Sequence, residues 1–347
     1  MTYPHVLALA TAVPPYALHQ PEVRTRFHHL FSRIPEAEID RLIPVFDNAG
    51  IETRYSCVPV DWYENPPGWK ERNQIYIDSA LDLLETITRQ CLDQARLLPE
   101  ELDAIVVVST TGIATPSLDA LLIERMGLRR DIERLPIFGL GCGGGVLGLA
   151  RAGAIARLNP GSRVLCLVVE LCALCFRRND YSKSNVIATA LFGDGAAGAI
   201  VSTHGDGPRL GASGQHTWPQ TLDIMGWDVE SDGFRAIMSR DIPSFVGREM
   251  RPVTVDFLKR NGLGLGDIDA FVCHPGGTKV LIALEEAFSL AEGTLRQGKT
   301  VLRDYGNMSS ATVFFVLQRM LAEGASGRLL MTGMGPGFTA GFQLLDA

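Results

Sequence analysis

Apolar and polar positions follow two different periods along most of the chain. Residues 102–112, LDAIVVVSTTG, form an almost continuous apolar run that ends in small residues, as in a strand buried on both faces. Residues 116–128, PSLDALLIERMGL, space apolar side chains as one face of a helix does. Residues 190–202 indicate a turn and a strand, and residues 231–264 a strand followed by an amphipathic helix. This alternation predicts an α/β protein with buried sheets.

The later part of the chain repeats the earlier part. The strand–loop–helix pattern of residues 102–126 returns at residues 268–288. The loop–helix–strand pattern of residues 139–170 returns at residues 305–335. Self-similarity of this kind predicts two related structural units.

We place the boundary between the two halves at the start of the most loop-like segment. Residues 203–216, THGDGPRLGASGQH, are rich in glycine and polar residues, and we expect a loop there. The predicted N-terminal half is therefore residues 1–202 and the predicted C-terminal half is residues 203–347.

The repeat pairs Cys142 with Asn307. Asp103 lies 39 residues before Cys142, and Asp269 lies 38 residues before Asn307. Because duplicated halves that pack face to face bring equivalent loops together, we expect these two side chains to share one site.

Composition then narrows the class of protein. The net charge of −7 and the isoelectric point near 5.6 argue against nucleic acid as the main partner. The first residues lack the charged region of a signal peptide, and no apolar run reaches the roughly 18 residues of a membrane span. The seven cysteines, an odd number, fit reduced thiols better than a disulfide framework. We expect a soluble, cytoplasmic protein without a membrane span.

The loop GLGCGGG, residues 139–145, supports two interpretations. Its glycines spell G-x-G-x-x-G before a helical pattern, and Glu170 ends the next apolar run, as in the dinucleotide site of a nicotinamide-dependent reductase. The same loop also places Cys142 at the start of a helix, where free N–H groups stabilise a thiolate. The second copy, GNMSSA, lacks the glycine fingerprint, so the repeat favours the cysteine.

A base for this thiol is available at His274, which ends a buried apolar run in CHPGGT. Each of the three residues also has a purely structural interpretation. Cys142 alone suits a small buried hydrophobe, His274 a core histidine, and Asn307 the N-cap of the helix that follows it. Their equivalent positions in the two halves favour a catalytic trio.

With these residues in place, the chain resembles the type III polyketide synthases, the chalcone- and stilbene-synthase-like branch of the thiolase superfamily. The resemblance rests on LFGDGAA (191–197), HPGGTKVL (274–281), YGNMSSATV (305–313) and GMGPGFTAGF (333–342), in that order. The segment at residues 169–185 is most similar to bacterial alkylresorcinol and alkylpyrone synthases. The resemblance implies a five-layer αβαβα thiolase fold built from two duplicated halves. It also implies a homodimer with one active site in each subunit.

The resemblance implies the roles of individual residues. Cys142 is the nucleophile, activated as an ion pair with His274, and Asn307 lies beside them. Phe192 takes the place of a gatekeeper phenylalanine between the site and the coenzyme A tunnel. Pro336 falls in the loop that shapes the cavity near the cysteine.

Departures from the plant enzymes concern the substrate cavity. Ala236 stands where those enzymes carry a second gatekeeper phenylalanine. Cys172 and Cys175 stand where they have cavity-lining threonines, so we expect a more apolar cavity. Thr115 replaces a methionine that reaches across the dimer into the partner's cavity.

The residues that hold coenzyme A are not assigned by the resemblance. Of the family's basic positions, Arg41 is matched, whereas Pro44 and Asn48 are not. The starter therefore arrives either on coenzyme A or on an acyl carrier protein.

The expected function is a type III polyketide synthase. It would load an acyl starter, expected to be a long fatty acyl chain, extend it by decarboxylative condensation with malonyl-CoA, and cyclise it to an alkylresorcinol or alkylpyrone. The resemblance implies no metal or redox cofactor, and coenzyme A thioesters enter as substrates. The alternatives are a ketoacyl-carrier-protein synthase III that stops after one condensation, the reductase named above, and a non-catalytic interaction protein on the same scaffold. HPGGTKVL favours the polyketide synthase over the first of these.

Overall fold

The computed structural model describes residues 2–31 and 35–347. The strands are β1 His5–Ala12, β2 Tyr16–His19, β3 Thr53–Ser56, β4 Ala104–Val108, β5 Glu133–Ile137, β6 Val164–Leu171, β7 Asp194–Ser202, β8 Arg209–Thr217, β9 Met225–Glu230, β10 Gly233–Met238, β11 Ala270–Cys273, β12 Arg328–Gly335 and β13 Thr339–Asp346. The helices are α1 Gln20–Leu30, α2 Glu36–Leu42, α3 Pro44–Asn48, α4 Trp69–Ala95, α5 Leu118–Met126, α6 Gly144–Leu158, α7 Lys183–Leu191, α8 Ile242–Arg260, α9 Thr278–Phe288, α10 Arg296–Tyr305 and α11 Thr312–Ala322.

Nine strands form one mixed sheet in the order β11-β12-β13-β8-β1-β7-β6-β4-β5. β4 pairs in parallel with β5 and β6, and β11 pairs in parallel with β12, so each end of the sheet has the crossover geometry expected from the repeated strand–helix pattern. The strands before residue 203 lie on one side of the order and those after it on the other. β1 and β8 join the two sides through the single pair His5–Arg209. The division into halves at residue 202 stays a prediction.

Two central helices pack between the sides of the sheet. α6 contacts β4, β6 and β7 of one side and β12 and β13 of the other, and α11 contacts β1, β7, β11 and β12. α6 is buried around most of its circumference, which its run of glycine and alanine permits. The missing Cβ of Gly148, for example, would lie 2.6 Å from Val108 Cγ2, so only glycine lets the helix approach β4 so closely.

Outer helices complete the layers. α4 covers β1, β6 and β7 and packs on α5, while α8 and α9 cover the far side, where the rings of Phe257 and Phe342 stack 5.0 Å apart. From α4 to α8 and α9, the layers are an outer helix, one side of the sheet, the central helices, the other side of the sheet and the outer helices. This order confirms the predicted five-layer αβαβα architecture. Among the described residues, no helix is both long and apolar enough to cross a bilayer.

The expected loop at residues 203–216 is wrong for most of its length. From Arg209 onward the chain forms β8, which pairs with β13 and touches β1. Its glycines serve packing: a Cβ on Gly214 would lie 2.7 Å from the ring of Phe257, and one on Gly211 would lie 3.2 Å from Leu344 Cβ. These glycines give the segment the composition of a loop although it forms a strand.

Candidate active site

Cys142 lies in the 3₁₀ turn Gly141–Gly143, directly before α6. Gly141 adopts φ +47°, and a Cβ there would lie 2.5 Å from Pro336 Cδ. Glycine is therefore required both by the left-handed backbone and by the close approach of the loop from the C-terminal half. The turn leaves the Cys142 side chain 6% exposed at the wall of a cavity.

His274 directly follows β11 and is 2% exposed. Gly333, on β12, separates it from the cysteine: a Cβ on Gly333 would lie 3.0 Å from Cys142 O and 3.5 Å from His274 Cβ. Both imidazole nitrogens are buried without a hydrogen-bond partner among the described residues. The ring lines the same cavity as Cys142, so its nitrogens are available to a bound molecule.

The carboxamide of Asn307 is held from both ends. Its Nδ2 donates to Gly276 O at 3.2 Å, and its Oδ1 accepts from Ser309 N at 2.9 Å. The second bond gives the main-chain N–H of Ser309, in the turn before α11, a hydrogen-bond partner, so the N-cap interpretation of Asn307 holds in part. Because Oδ1 is occupied, the remaining N–H of Nδ2 is the group that Asn307 can offer to the cavity.

One cavity of about 500 Å³ brings most of the predicted site together. Its wall includes the trio of Cys142, His274 and Asn307 and the predicted cavity residues Phe192, Ala236 and Pro336. Duplicated loops from the two halves thus meet at a single space, as the repeat predicted.

A second, narrower cavity of about 60 Å³ lies beyond Phe192. It contains Cys172 and Cys175, and it shares Phe192, Trp227 and Ala236 with the larger cavity. These three shared residues therefore lie between the two spaces, and we call them the partition.

Thr115 lines neither of these cavities and is exposed. It does not belong to the cavity of its own chain. Its expected place against a partner's cavity stays a prediction.

Burial of Cys142 and His274 opposes the ion pair expected between them, which stays a prediction. Burial raises the pKa of Cys142 to about 12, although its Sγ donates to Ser309 Oγ at 3.5 Å, and burial lowers the pKa of His274 to about 4. A low-dielectric pocket disfavours both charged forms. Burial therefore favours the neutral thiol and the neutral imidazole in the unliganded chain.

Glu170 is fully buried beside this pair, and the dinucleotide interpretation of it is wrong. It accepts from Thr110 N at 2.9 Å, Thr111 Oγ1 at 3.0 Å and Ser310 Oγ at 2.5 Å. Burial raises its pKa to about 7. A carboxylate enclosed by protein donors cannot receive a ribose.

The glycine loop has no room for a pyrophosphate either. A Cβ on Gly145 would lie 2.2 Å from Ser310 O, and one on Gly144 would lie 2.7 Å from Val108 Cγ1. The glycine fingerprint reflects close packing of two turns, which excludes the reductase interpretation.

Four cations at the rim of the larger cavity form what we call the basic rim: Arg41, Lys183, Arg240 and Lys279. All four are exposed, and among the described side chains none of them makes an ion pair. They come from α2, α7, the turn after β10, and α9. Sequence reasoning found only Arg41, because residues so far apart in the chain produce no basic run. Pro44 and Asn48 also line this cavity.

Comparison with known proteins agrees with this geometry. The family models for the N-terminal and C-terminal domains of chalcone and stilbene synthases match residues 3–205 and 209–344. A putative chalcone synthase of Bacillus subtilis is 36% identical over 356 residues, 96% of each chain. A 1,3,6,8-tetrahydroxynaphthalene synthase of Streptomyces peucetius is 38% identical over 352 residues, 98% of this chain and 92% of the relative.

The fold is also that of solved relatives. The crystal structure of 1,3,6,8-tetrahydroxynaphthalene synthase from Streptomyces coelicolor, a bacterial type III polyketide synthase, superimposes with a TM-score of 0.94 at 29% identity and 99% coverage of both chains. A polyketide synthase of the brown alga Ectocarpus siliculosus gives 0.90 at 26% identity, covering 99% of this chain and 98% of the other. The chain belongs to the chalcone and stilbene synthase family, and it is a type III polyketide synthase with the thiolase fold, a decarboxylating, condensing acyltransferase.

Proposed function

We propose that this enzyme loads a long-chain fatty acyl starter on Cys142, extends it with malonyl-CoA, and cyclises the product to an alkylresorcinol or alkylpyrone. The observation that carries the proposal is the juxtaposition of two spaces. The thiol, the imidazole and the carboxamide border a cavity of about 500 Å³, and a narrow apolar cavity continues beyond Phe192.

The neutral resting pair suits the loading step. As the Cys142 sulfur attacks the thioester carbonyl, the thiol proton passes to the neutral imidazole of His274, and the coenzyme A thiolate leaves. The charges thus develop only when substrate has filled the cavity. Attack on the acyl group does not require a preformed thiolate.

His274 and Asn307 act again during extension. Malonyl-CoA loses carbon dioxide, and the resulting enolate oxygen accepts hydrogen bonds from the imidazole N–H and from the free N–H of Asn307 Nδ2. Removing one donor of this kind costs about 3–4 kcal/mol of transition-state stabilisation. The enolate carbon then attacks the carbonyl of the acyl-cysteine, a C–C bond forms, and the acyl C–S bond breaks. The products are the lengthened β-ketoacyl chain on coenzyme A and the Cys142 thiolate, which is ready to accept the chain for another round.

The shape of the narrower cavity supports an unbranched starter. Apolar side chains of Leu18, Val23 and Phe176, together with Cys172 and Cys175, make up much of its wall. A single aliphatic chain fits a narrow apolar space better than an aromatic ring, and each buried methylene contributes about 0.8 kcal/mol. A relative in Mycobacterium tuberculosis, 26% identical over 97% of this chain, bears the name of an α-pyrone synthesis polyketide synthase-like protein.

A second candidate function is favoured by the small size of the same cavity. At about 60 Å³ it also suits an enzyme that uses no long starter. The Streptomyces peucetius relative is named for tetrahydroxynaphthalene, a product without an alkyl chain.

The basic rim supports delivery of an anionic substrate. The chain as a whole carries −7, yet Lys183, Arg240 and Lys279 form no ion pairs with the described residues around the cavity opening. This arrangement suits the phosphates of coenzyme A or the phosphopantetheine of a carrier protein. Lys279→Ala should raise KM for malonyl-CoA up to about fivefold at low salt, and less at high salt, whereas Lys259→Ala, an exposed lysine away from the cavity, should not.

An apolar surface supports the homodimer. Ile113 and Phe138 follow the parallel strands β4 and β5 at one edge of the sheet, and their side chains are 44% and 59% exposed. Exposed apolar residues in the loops that follow two paired strands suit a subunit contact, and Thr115 lies in the same loop as Ile113. Light scattering should give about twice the chain mass of 37.7 kDa.

One assay tests the proposal. Purified enzyme receives malonyl-CoA with acyl-CoAs of graded length and coumaroyl-CoA in competition, and mass spectrometry identifies the products. We expect alkylated rings from fatty acyl starters. Tetrahydroxynaphthalene from malonyl-CoA alone would establish the second candidate, preference for coumaroyl-CoA would contradict the alkyl starter, and one malonyl unit per product would establish the ketoacyl synthase alternative.

A further inference from the structure

Arg54, on β3, is a buried cation without an assigned role. Arg54 is 3% exposed. Burial lowers the pKa of its guanidinium to about 10, so the group remains charged at neutral pH. Replacing buried ions by apolar residues is often neutral or stabilising, so stability alone is a weak reason for a guanidinium here.

Arg54 contacts the two segments that carry Phe192 and Asn307. Its Nη1 donates to Phe192 O at 3.0 Å. A glycine from each segment lies against the Arg54 side chain: a Cβ on Gly193 and a Cβ on Gly306 would each lie 3.1 Å from Arg54 Cβ. Neither segment could lie this close to Arg54 with a side chain at those positions.

The same two segments are also hydrogen-bonded to each other through their main chains. Asn307 N donates to Leu191 O at 2.8 Å, and Gly193 N donates to Asn307 O at 3.0 Å. The backbone of Phe192 therefore cannot shift without moving the backbone of Asn307.

A second contact from the end of β3 holds the segment after Phe192. Cys57 N donates to the buried carboxylate of Asp194 at 2.9 Å, and the opposite oxygen of Asp194 accepts from Ala173 N at 2.8 Å. β3 thus holds this segment at residue 192 through a side chain and at residue 194 through the main chain.

We propose that Arg54 is a positioning residue that fixes Phe192 at the partition between the cavities and Asn307 at the enolate as one unit. The proposal rests on the role of Asn307 proposed above. Arg54 touches no reacting atom in this account; it acts through the Phe192 carbonyl.

The experiment compares Arg54→Met, Arg54→Lys and Arg72→Met. Arg72 is a matched control, because it is also buried and donates to main-chain carbonyls, those of Leu174 and Phe176. Three quantities are measured: kcat for malonyl-CoA decarboxylation, the rate of Cys142 alkylation by iodoacetamide, and Tm.

We expect Arg54→Met to lower kcat for decarboxylation about tenfold or more, because small misplacements of a catalytic donor have large effects on rate. The alkylation rate should stay within about twofold, since Cys142 lies on the other turn. Arg54→Lys should recover most of the kcat, because its ammonium retains a donor for Phe192 O. Arg72→Met should lower Tm without this selective loss of kcat.

The outcomes separate this inference from the proposed function. Unchanged decarboxylation in Arg54→Met overturns the inference, as does a fall of kcat and alkylation together in proportion to Tm. A change confined to KM for starters with polar ends would make Arg54 a ligand group in the narrower cavity, which also overturns it. A wild-type enzyme that does not decarboxylate malonyl-CoA overturns the proposed function, and this inference with it.

Discussion

The turn before α6 and the turn before α11 occupy equivalent places in the two halves, yet they contribute different chemistry. Both are short 3₁₀ turns that begin a buried central helix. The start of α6 packs on the second turn, since a Cβ on Gly145 would lie 2.2 Å from Ser310 O. The first turn is almost all glycine and presents one thiol. The second supplies polar groups: Asn307, and the hydroxyls of Ser309 and Ser310 that donate to Glu170.

The difference shows how duplication can build one site from two copies of one backbone. In the proposed mechanism, one turn provides space and the nucleophile, and the other provides hydrogen-bond donors. Ser309 shows the cost of this arrangement, because it adopts φ +48°, which non-glycine residues rarely do. In that conformation its hydroxyl lies against both Cys142 and Glu170.

Removing the contribution of the first turn should have the largest effect. Cys142→Ala should abolish product formation, because no acyl-enzyme can form. After incubation with an acyl-CoA, mass spectrometry of the intact Cys142→Ala protein should show no covalent acyl adduct. Cys166 is a buried thiol on β6, and Cys166→Ala is the control: this variant should still form the acyl adduct on Cys142. Loss of activity confined to Cys172 or Cys175 variants would show that the wrong thiol was chosen.

Removing the donor of the second turn should leave the thiol intact. Asn307→Ala should lower kcat for malonyl-CoA decarboxylation by about 10²–10³, because the enolate loses one hydrogen bond. Acyl loading of Cys142 should persist. Asn261→Ala, at the end of α8, is a matched asparagine outside the cavity. Equal loss of loading and decarboxylation would contradict the division of labour.

Glu170 links the turns, and its charge should affect stability through pH. Its pKa is raised from 4.5 to about 7, so between these values the unfolded chain ionises first and stability falls as pH rises. Glu170→Gln should remove this contribution, up to about 3 kcal/mol. Urea unfolding at pH 5 and pH 7 should show that the free energy of unfolding of Glu170→Gln increases relative to that of the wild type as pH rises. A constant difference would refute the raised pKa.

His274 contributes with the opposite sign over part of this range. Its pKa is lowered from 6.5 to about 4, so stability falls as pH falls through that window in both proteins. The comparison of Glu170→Gln with wild type removes this common contribution.

Separating the turns sterically should have a smaller effect. Gly145→Ala places a methyl group against the backbone of Ser310, and overpacking of this kind costs about 1–3 kcal/mol of unfolding free energy. Gly247→Ala is the control: it also lies within a helix but meets no atom within 4 Å, and it should gain up to about 1 kcal/mol from helix propensity. Equal effects at both positions would show that contact between the turns is unimportant.

Local patterns predicted the parts of this fold that depend on burial in single elements. The apolar run before residue 109 forms β4, and the spacing after residue 116 forms α5, because burial on a strand or a helix face leaves a short-range period. The repeat by itself predicts that Cys142 and Asn307 border one site, and both line the larger cavity. The local pattern does not predict β8. Its glycines are required by close contact with side chains of α8 and β13, and such contacts leave no period in the sequence.

The site was predictable to the extent that it follows strand ends and helix starts. The actual partners of Glu170 could not be predicted, because its donors come from the loop after β4 and from the turn before α11, which are distant from it in sequence. Trp227 and Arg54 were missed for the same reason. The neutral state of Cys142 and His274 depends on burial by the whole fold, which residue types alone do not report.

The partition between the two cavities bears on two properties of the product: the length of the starter chain and the number of malonyl units added. In the proposed reaction, the starter tail would lie beyond Phe192 in the space of about 60 Å³, and the growing chain on Cys142 would fill the space of about 500 Å³. Under the proposed function, substitutions that enlarge one compartment alter which starter is accepted, and substitutions that shrink the other alter how many units are added. Phe192, Trp227 and Ala236 belong to both walls, so they are the positions at which the two counts cannot be changed independently.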